Sequence, residues 1–390
     1  MRVGIVAGEM SGDYLGAGLM RELRRLYPEA RFEGIGGRRM EAEGMASLYP
    51  LEALSVMGLV EVLRHLPKLL LIRRDLVRRF RRNPPDVFIG IDAPDFNLRL
   101  EQRLREAGVP TVHYVSPTVW AWRQGRIRQI ARAVDRMLCI FPFEREFFRD
   151  HQVPARFVGH PLADEVSMVP DQRAARAELG LPEEVPLVAV LPGSRMSEVR
   201  HLGPAFLETV AWLHRHRPDA HFVVPCATDR IAAHLRDLVA AYNEGMHVTL
   251  VDGRARDCLA AANAALLASG TASLEAMLHK CPMVVAYKVS TVTGWLARRL
   301  IRVPHFAMPN LIAQRRLVAE FAQEAAIPGN LGPAVLDLLD NPDQRTALVA
   351  EFEQLHRELR QDASLQAAAA VAELLQEAGH RPANNNEVAG

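Results

Sequence analysis

Apolar residues gather in short runs, separated by longer stretches with helical spacing. Val3–Ala7, Val87–Ile91, Thr111–Val115 and Met137–Ile140 predict buried strands in the first half. Leu187–Leu191, His221–Pro225, Val248–Val251, Ala264–Leu267 and Met283–Tyr287 predict the same in the second half. Leu15, Leu19, Leu23 and Leu26 form a helical stripe at spacings of four, four and three, and Leu202, Phe206, Val210 and Leu213 repeat it. Phe96, Leu100 and Leu104 make another, ended by Gly108 and Pro110. Alternation of strand and helix predicts an α/β protein in which each half is a parallel sheet covered by helices on both faces.

Length turns this pattern into two domains, because 390 residues exceed one core of ordinary size. Val158–Asp164 and the polar, proline-containing stretch after it mark the junction near 160–185. The expected layout is a first domain over 1–165 and a second over 185–362. A terminal helix over 363–378 and a disordered tail over 379–390 follow. Apolar residues at 49% and charged residues at 24% describe a soluble globular chain, and a formal net charge of +1 gives no global field for nucleic acid. The apolar start is too short for a signal peptide, and no uncharged stretch reaches about 18 residues. A cytoplasmic protein is expected. Cys139, Cys226, Cys258 and Cys281 lack metal or redox spacing and read as buried thiols.

The loops that follow these strands carry the candidate chemistry. Gly8-Glu9-Met10-Ser11-Gly12-Asp13 closes the first strand. Ser11 or Asp13 can cap the next helix, and Glu9 lies at the carboxyl end of a parallel strand, where doubly wound sheets bind ligands. Asp92 and Asp95 flank Pro94 at another such end. Asp95 reads as a helix cap. Asp92, at the strand tip, reads either as a turn residue or as a general base. The pair offers too few oxygens for a hard cation, so no metal is expected.

Leu191-Pro192-Gly193-Ser194-Arg195 and Ser269-Gly270-Thr271-Ala272-Ser273-Leu274-Glu275 each join a strand to a helix. Free backbone N–H groups with the Arg195 guanidinium suit a diphosphate, and Glu275, one turn past Thr271, suits ribose hydroxyls. Each motif alone also reads as a capped turn; two in one domain favour the ligand reading. No Gly-x-Gly-x-x-Gly and no Walker lysine motif is present, which argues against a dinucleotide dehydrogenase or a P-loop hydrolase.

Residues 54–82 alternate apolar blocks with cations. Val56, Met57, Leu59, Val60, Val62, Leu63 and further leucines precede Lys68, Arg73, Arg74, Arg78, Arg79, Arg81 and Arg82. Such a segment suits an anionic membrane surface, or else a core helix followed by a solvated basic one. Trp295–Arg302 has the same character.

Together the blocks resemble the lipid-A-disaccharide synthases. The most specific are Ala7–Asp13, Gly90-Ile91-Asp92-Ala93-Pro94-Asp95-Phe96-Asn97, and His113 to Arg123 through Trp120 and Trp122. Leu191–Arg195, Ser269–Glu275 and Met308-Pro309-Asn310-Leu311 follow in order. The resemblance runs from about Val3 to about residue 375. Met10 and Gly36 depart from the usual pattern.

The resemblance implies a GT-B fold, two Rossmann-like domains facing a cleft, with C-terminal helices exchanged between subunits of a homodimer. It implies a peripheral protein on the inner face of the inner membrane, with no cofactor. The implied reaction is transfer of 2,3-diacylglucosamine from UDP-2,3-diacylglucosamine to the 6-hydroxyl of 2,3-diacylglucosamine 1-phosphate (lipid X), with inversion. The family's site residues carry over to Glu9, Asp92, Arg195 and Asn310. On this reading Asp92 is the base and Glu9 binds sugar hydroxyls or orients the acceptor. Gly193, Ser194, Arg195, Ser269, Gly270 and Thr271 hold the diphosphate, Glu275 the ribose, and Asn310 donor sugar or phosphate. Two rivals share the loops: a non-hydrolysing UDP-N-acetylglucosamine epimerase and an inactive sugar-nucleotide-binding protein.

Overall fold

The computed structural model describes residues 1–54, 59–121, 124–242, 245–289 and 304–379. Val56, Met57, Trp122, Arg123, the Trp295–Arg302 stretch and the tail beyond Gly379 lie outside the described residues. Leu59, Val60, Val62 and Leu63 are described in backbone only. The chain forms two compact units, Met1–Asp164 together with the segment from Leu359 onward, and Glu165–Glu358.

The first unit alternates β1 (Arg2–Ala7), α1 (Met10–Leu26), β2 (Arg31–Ile35), α2 (Arg38–Ala42), β3 (Ala46–Ser47), α3 (Leu59–Arg82), β4 (Val87–Ile91) and α4 (Pro94–Arg105). It continues with β5 (Thr111–Tyr114), α5 (Ile127–Ala133), β6 (Arg136–Cys139), α6 (Pro142–Asp150), β7 (Ala155–Phe157) and α7 (Pro161–Glu165). The strands form one parallel sheet in the order β3-β2-β1-β4-β5-β6-β7. The order reverses between β1 and β4, and such a reversal leaves a crevice at the carboxyl ends of the strands. Ala7 lies beside Ile91, so the turns after β1 and β4 leave the sheet side by side.

The second unit runs α8 (Gln172–Leu179), β8 (Leu187–Leu191), α9 (Met196–His216), β9 (His221–Cys226), α10 (Asp229–Ala241), β10 (His247–Asp252), α11 (Ala255–Ala261), β11 (Ala264–Ala268) and α12 (Thr271–Leu278). After these come β12 (Met283–Tyr287), α13 (Met308–Ala313), β13 (Ala319–Ala322), α14 (Pro328–Asp340) and α15 (Pro342–Leu359). Its parallel sheet has the order β10-β9-β8-β11-β12-β13, reversing between β8 and β11. Leu191 pairs with Leu267, which again sets two loops next to each other.

All nine apolar runs are strands, and most of their residues are fully buried, as a sheet covered on both faces requires. The three leucine and phenylalanine stripes fall on α1, α9 and α4 and face the core. The four cysteines are buried thiols. A last helix, α16 (Ala363–Glu377), returns to the first unit. Its Ala367, Val371 and Leu375 bury completely against Leu19, Met20 and Leu23 of α1. In α3, Ile72, Leu76 and Phe80 recur every four residues and bury on Phe88, Leu100 and Leu104. Among the described residues no helix is long and apolar enough to cross a membrane.

Candidate functional site

Each unit gathers its candidate residues at its own point of strand reversal. In the first, Glu9 follows β1 and Asp92 follows β4. The two turns touch: a Cβ on Gly8 would stand 2.2 Å from Cβ of Ala93, so only glycine allows this approach. Glu9 is exposed and is the backbone N-cap of α1 without a side-chain capping bond. Asp92 is half-buried and sits at φ 52°, followed by Ala93 at φ 43°. Two consecutive non-glycine residues in left-handed backbone are costly and persist only where surroundings hold them. Here the Asp92 N–H donates to the Tyr114 carbonyl at 2.9 Å. The Asn97 side-chain amide, fully buried, donates to the Asp92 carbonyl at 2.8 Å. The strained turn thereby holds Asp92 at the tip of β4, just before the helix that follows.

Two capping expectations are corrected. The N-cap of α4 is Ala93 and its first residue is Pro94, so Asp95 lies inside the helix and pairs with Arg126 at 2.8 Å. Ser11 and Asp13 likewise lie inside α1. Asp13 is buried and caps a different helix: its carboxylate accepts the N–H groups of Gly37 (2.8 Å), Arg39 (3.1 Å) and Met40 (3.1 Å) at the start of α2.

Glu144 stands at the same edge, at the start of α6, and sequence reasoning passed over it. It is 2% exposed and accepts N–H groups from Ile140, Phe141 and the Trp120 indole. Burial pushes its carboxyl up to about 7 against those bonds. Its only sequence signal is a glutamate three residues past the helix N-cap.

In the second unit, a cavity of about 460 Å³ opens at the reversal point and is lined by Gly193, Ser194, Arg195, Ser269, Gly270, Thr271 and Glu275. The expected loops are thus brought together. Gly193 at φ 135° and Gly270 at φ 136° give them matching backbones that L side chains rarely adopt. The first N–H groups of α12, at Thr271 and Ala272, have no carbonyl partner within their own helix. Arg195 is exposed and makes only a 3.4 Å pair with Glu198, weak enough for the guanidinium to leave at small cost.

The backbone N–H groups beside Arg195 are not free as expected. Glu198 accepts those of Ser194 (3.1 Å) and Arg195 (3.3 Å), forming a capping box on α9. The Glu275 carboxylate forms the cavity wall, with one oxygen accepting from Arg256 at 3.0 Å. The Ser269 hydroxyl donates to the Phe306 carbonyl. Gly253 and Arg254, also in the wall, were not singled out from the sequence. Their signal was a glycine directly after an apolar strand.

Asn310 does not line this cavity. It is fully buried, and its amide bonds Val318 O (3.0 Å), Leu317 N (2.7 Å) and Val318 N (2.9 Å). Contact of that amide with a donor is therefore not what the geometry provides; the amide ties α13 to the start of β13.

Lys68, Arg73, Arg74 and Arg78 point outward from α3, exposed or half-buried. Arg79 instead reaches Glu33 of β2.

Comparison with known proteins bears on these sites. A family model described as Lipid-A-disaccharide synthetase matches residues 3–373. The lipid-A-disaccharide synthase of Hahella chejuensis is 53% identical over 376 residues, covering 96% of this chain and 95% of that protein. That of Alkalilimnicola ehrlichii is 56% identical over 373 residues, covering 95% and 98%. Among solved structures, the UDP-GlcNAc 2-epimerase from Neisseria meningitidis bound to UDP-GlcNAc superposes with TM-score 0.62 at 12% identity, covering 97% and 100%. The glycotransferase of kitacinnamycin superposes with TM-score 0.60 at 16% identity, covering 96% and 98%. At such low identity these two show the fold alone: two parallel-sheet α/β domains of the GT-B kind. With the family match spanning nearly the whole chain and relatives above half identical, this chain belongs to the lipid-A-disaccharide synthases, glycosyltransferases of lipid A biosynthesis.

Proposed function

We propose that the chain moves 2,3-diacylglucosamine from UDP-2,3-diacylglucosamine to the 6-hydroxyl of lipid X, with inversion, giving the lipid A disaccharide 1-phosphate and UDP. The observations that support this are the strained turn that carries Asp92 at one unit's reversal point and the cavity lined by Arg195 and the α12 N-terminus at the other unit's. Asp92 takes the proton from the attacking hydroxyl, and inversion then needs one base and one stabilised leaving group. Arg195 and the α12 N-terminus meet the charge that grows on UDP, with Ser194, Ser269 and Thr271 beside them. Glu275 holds the ribose through its free oxygen. Glu9 orients the acceptor. Asn310 acts through the backbone it fixes.

These cationic and N–H groups already meet the diphosphate charge, so the reaction needs no divalent metal. The protein works as a homodimer, with α16 docking on α1 of the partner as it does here on its own. It lies on the inner face of the inner membrane through α3, where Leu66, Leu70 and Leu71 are exposed ahead of the basic residues.

The test supplies UDP-diacylglucosamine with lipid X in detergent micelles containing EDTA and identifies the product by mass. Disaccharide formed only with both substrates is expected. Turnover of UDP-N-acetylglucosamine without acceptor would favour the epimerase, and UDP release independent of acceptor would remove the transferase reading.

A further inference from the structure

A second cavity, of about 1000 Å³, lies in the first unit between α3, α4 and α5. Six guanidiniums line it: Arg73, Arg74, Arg78 and Arg81 from α3, and Arg99 and Arg103 from α4. Glu106 is the single carboxylate among its lining residues. It pairs with Arg103 at 3.7 Å, while Arg81 donates to the Arg103 carbonyl at 3.3 Å. Arg73, Arg74, Arg78 and Arg99 have no carboxylate partner among the described residues. Arg73 is half-buried, and burial followed by the neighbouring Arg99 guanidinium holds it below the ordinary arginine range.

Two arginines close to the groove in sequence do find carboxylates. Arg79, one position beyond Arg78 on the same helix, turns to Glu33; Arg105, two positions beyond Arg103, binds Asp135 at 2.7 Å. The groove therefore collects six cations from two helices against the one carboxylate of Glu106. Like charges held together are unfavourable unless an external anion sits between them. Guanidiniums gathered from two helices suit phosphate oxygens, which they bind in forked pairs. Leu70 also lines the groove, and exposed Leu66 and Leu71 lie on the same helix toward its start. An apolar strip running into an arginine groove matches a molecule with acyl chains at one end and a phosphate ester at the other.

We propose that the groove between α3 and α4 is a discrete binding site for the phosphate headgroup of a membrane lipid, formed by Arg99 and Arg103 together with the α3 arginines. This rests on the membrane reading of α3 and adds to it a second wall and a defined stoichiometry. A diffuse electrostatic surface would need α3 alone.

The experiment measures co-sedimentation of the full chain with phosphatidylcholine vesicles, with and without phosphatidic acid. Three proteins are compared: wild type, Arg99→Gln/Arg103→Gln, and Arg73→Gln/Arg74→Gln. At about fivefold per guanidinium near a lipid surface, each double variant should bind phosphatidic acid vesicles roughly 25-fold more weakly. Circular dichroism should show wild-type folding in both. If only the α3 variant loses binding, the groove is not a site, though membrane docking by α3 stands. If neither loses binding, both readings fail. Inorganic pyrophosphate is the competitor. Its binding with no vesicle binding by the wild type would make this a soluble-anion site and overturn the proposal. A variant that unfolds is replaced by Arg99→Lys/Arg103→Lys, which keeps charge but loses the fork. It should retain part of the binding, and binding fully equal to wild type would overturn the site while leaving the diffuse surface.

Discussion

Asp92 shows how much of a residue's chemistry comes from its backbone. A left-handed aspartate followed by a left-handed alanine costs about 1–3 kcal/mol for each residue. The Tyr114 carbonyl and the Asn97 amide offset that cost by pairing the Asp92 N–H and carbonyl. Asp92→Asn keeps the shape and removes the proton acceptor. Turnover should fall about 100- to 10,000-fold, the usual worth of a general base, with UDP affinity unchanged by calorimetry. Near wild-type turnover would pass the role to Glu9. Glu198 makes a related point in the second unit: its carboxylate already holds two N–H groups at the wall of the cavity between the two loops. A ligand phosphate must therefore rely on Arg195 and α12, or displace it.

At the scale of elements, buried carboxylates join helices to the sheet edge. Asp13 satisfies three orphan N–H groups of α2 from within α1. Asp13→Ala leaves them unpaired in a buried place, so urea denaturation should show a loss of about 2 kcal/mol or more; a loss below half of that would mean water replaces the cap. Glu144 titrates in the opposite sense to most carboxylates. Its folded value, about 7, lies above its ordinary 4.5. Its contribution is complete below about 4.5, declines as the unfolded chain alone gives up its proton, and is gone above about 7. Relative to Glu144→Gln, the wild type should lose about 3 kcal/mol of stability between pH 4.5 and 7, since each unit is worth about 1.4 kcal/mol. Parallel denaturation curves for the two proteins at pH 5 and pH 8 would contradict this.

For the whole molecule, the informative feature is the return of the chain. After α15 closes the second unit, α16 completes the core of the first. Val371, Leu374 and Leu375 bury there, each worth about 1.5–3 kcal/mol. Together they rival the roughly 5–15 kcal/mol that holds a typical domain. A chain stopped after Leu359 should show the first unit melting separately and at lower temperature in calorimetry. A single unchanged transition would mean α16 adds nothing to the first unit. If α16 is exchanged between subunits, the same truncation should also leave monomers in sedimentation.

Eight buried strands and the helices between them were legible in the sequence, because a strand covered on both faces must be continuously apolar, and β10, an edge strand without a buried residue, was legible from Val248, Leu250 and Val251. β3, β7 and β13 were not, because edge strands are short and half-solvated, and β2 interrupts its apolar positions with Arg31, Glu33 and Gly34. Glu9, Asp92, Arg195 and Glu275 could be picked out because ligands meet a doubly wound sheet where strands end, and strand ends are readable. What those residues touch was not readable. Asp13 and the α2 N-terminus are separated by 24 to 27 positions, and Arg73 and Arg99 by a strand and a turn. Asn310 was expected at the donor, yet the fold spends its amide on Leu317 and Val318. Sequence pattern reports where a side chain enters an element, since burial is periodic; hydrogen-bond partners and like-charge crowding depend on which elements pack together, and that is decided only when the sheets and helices close on one another.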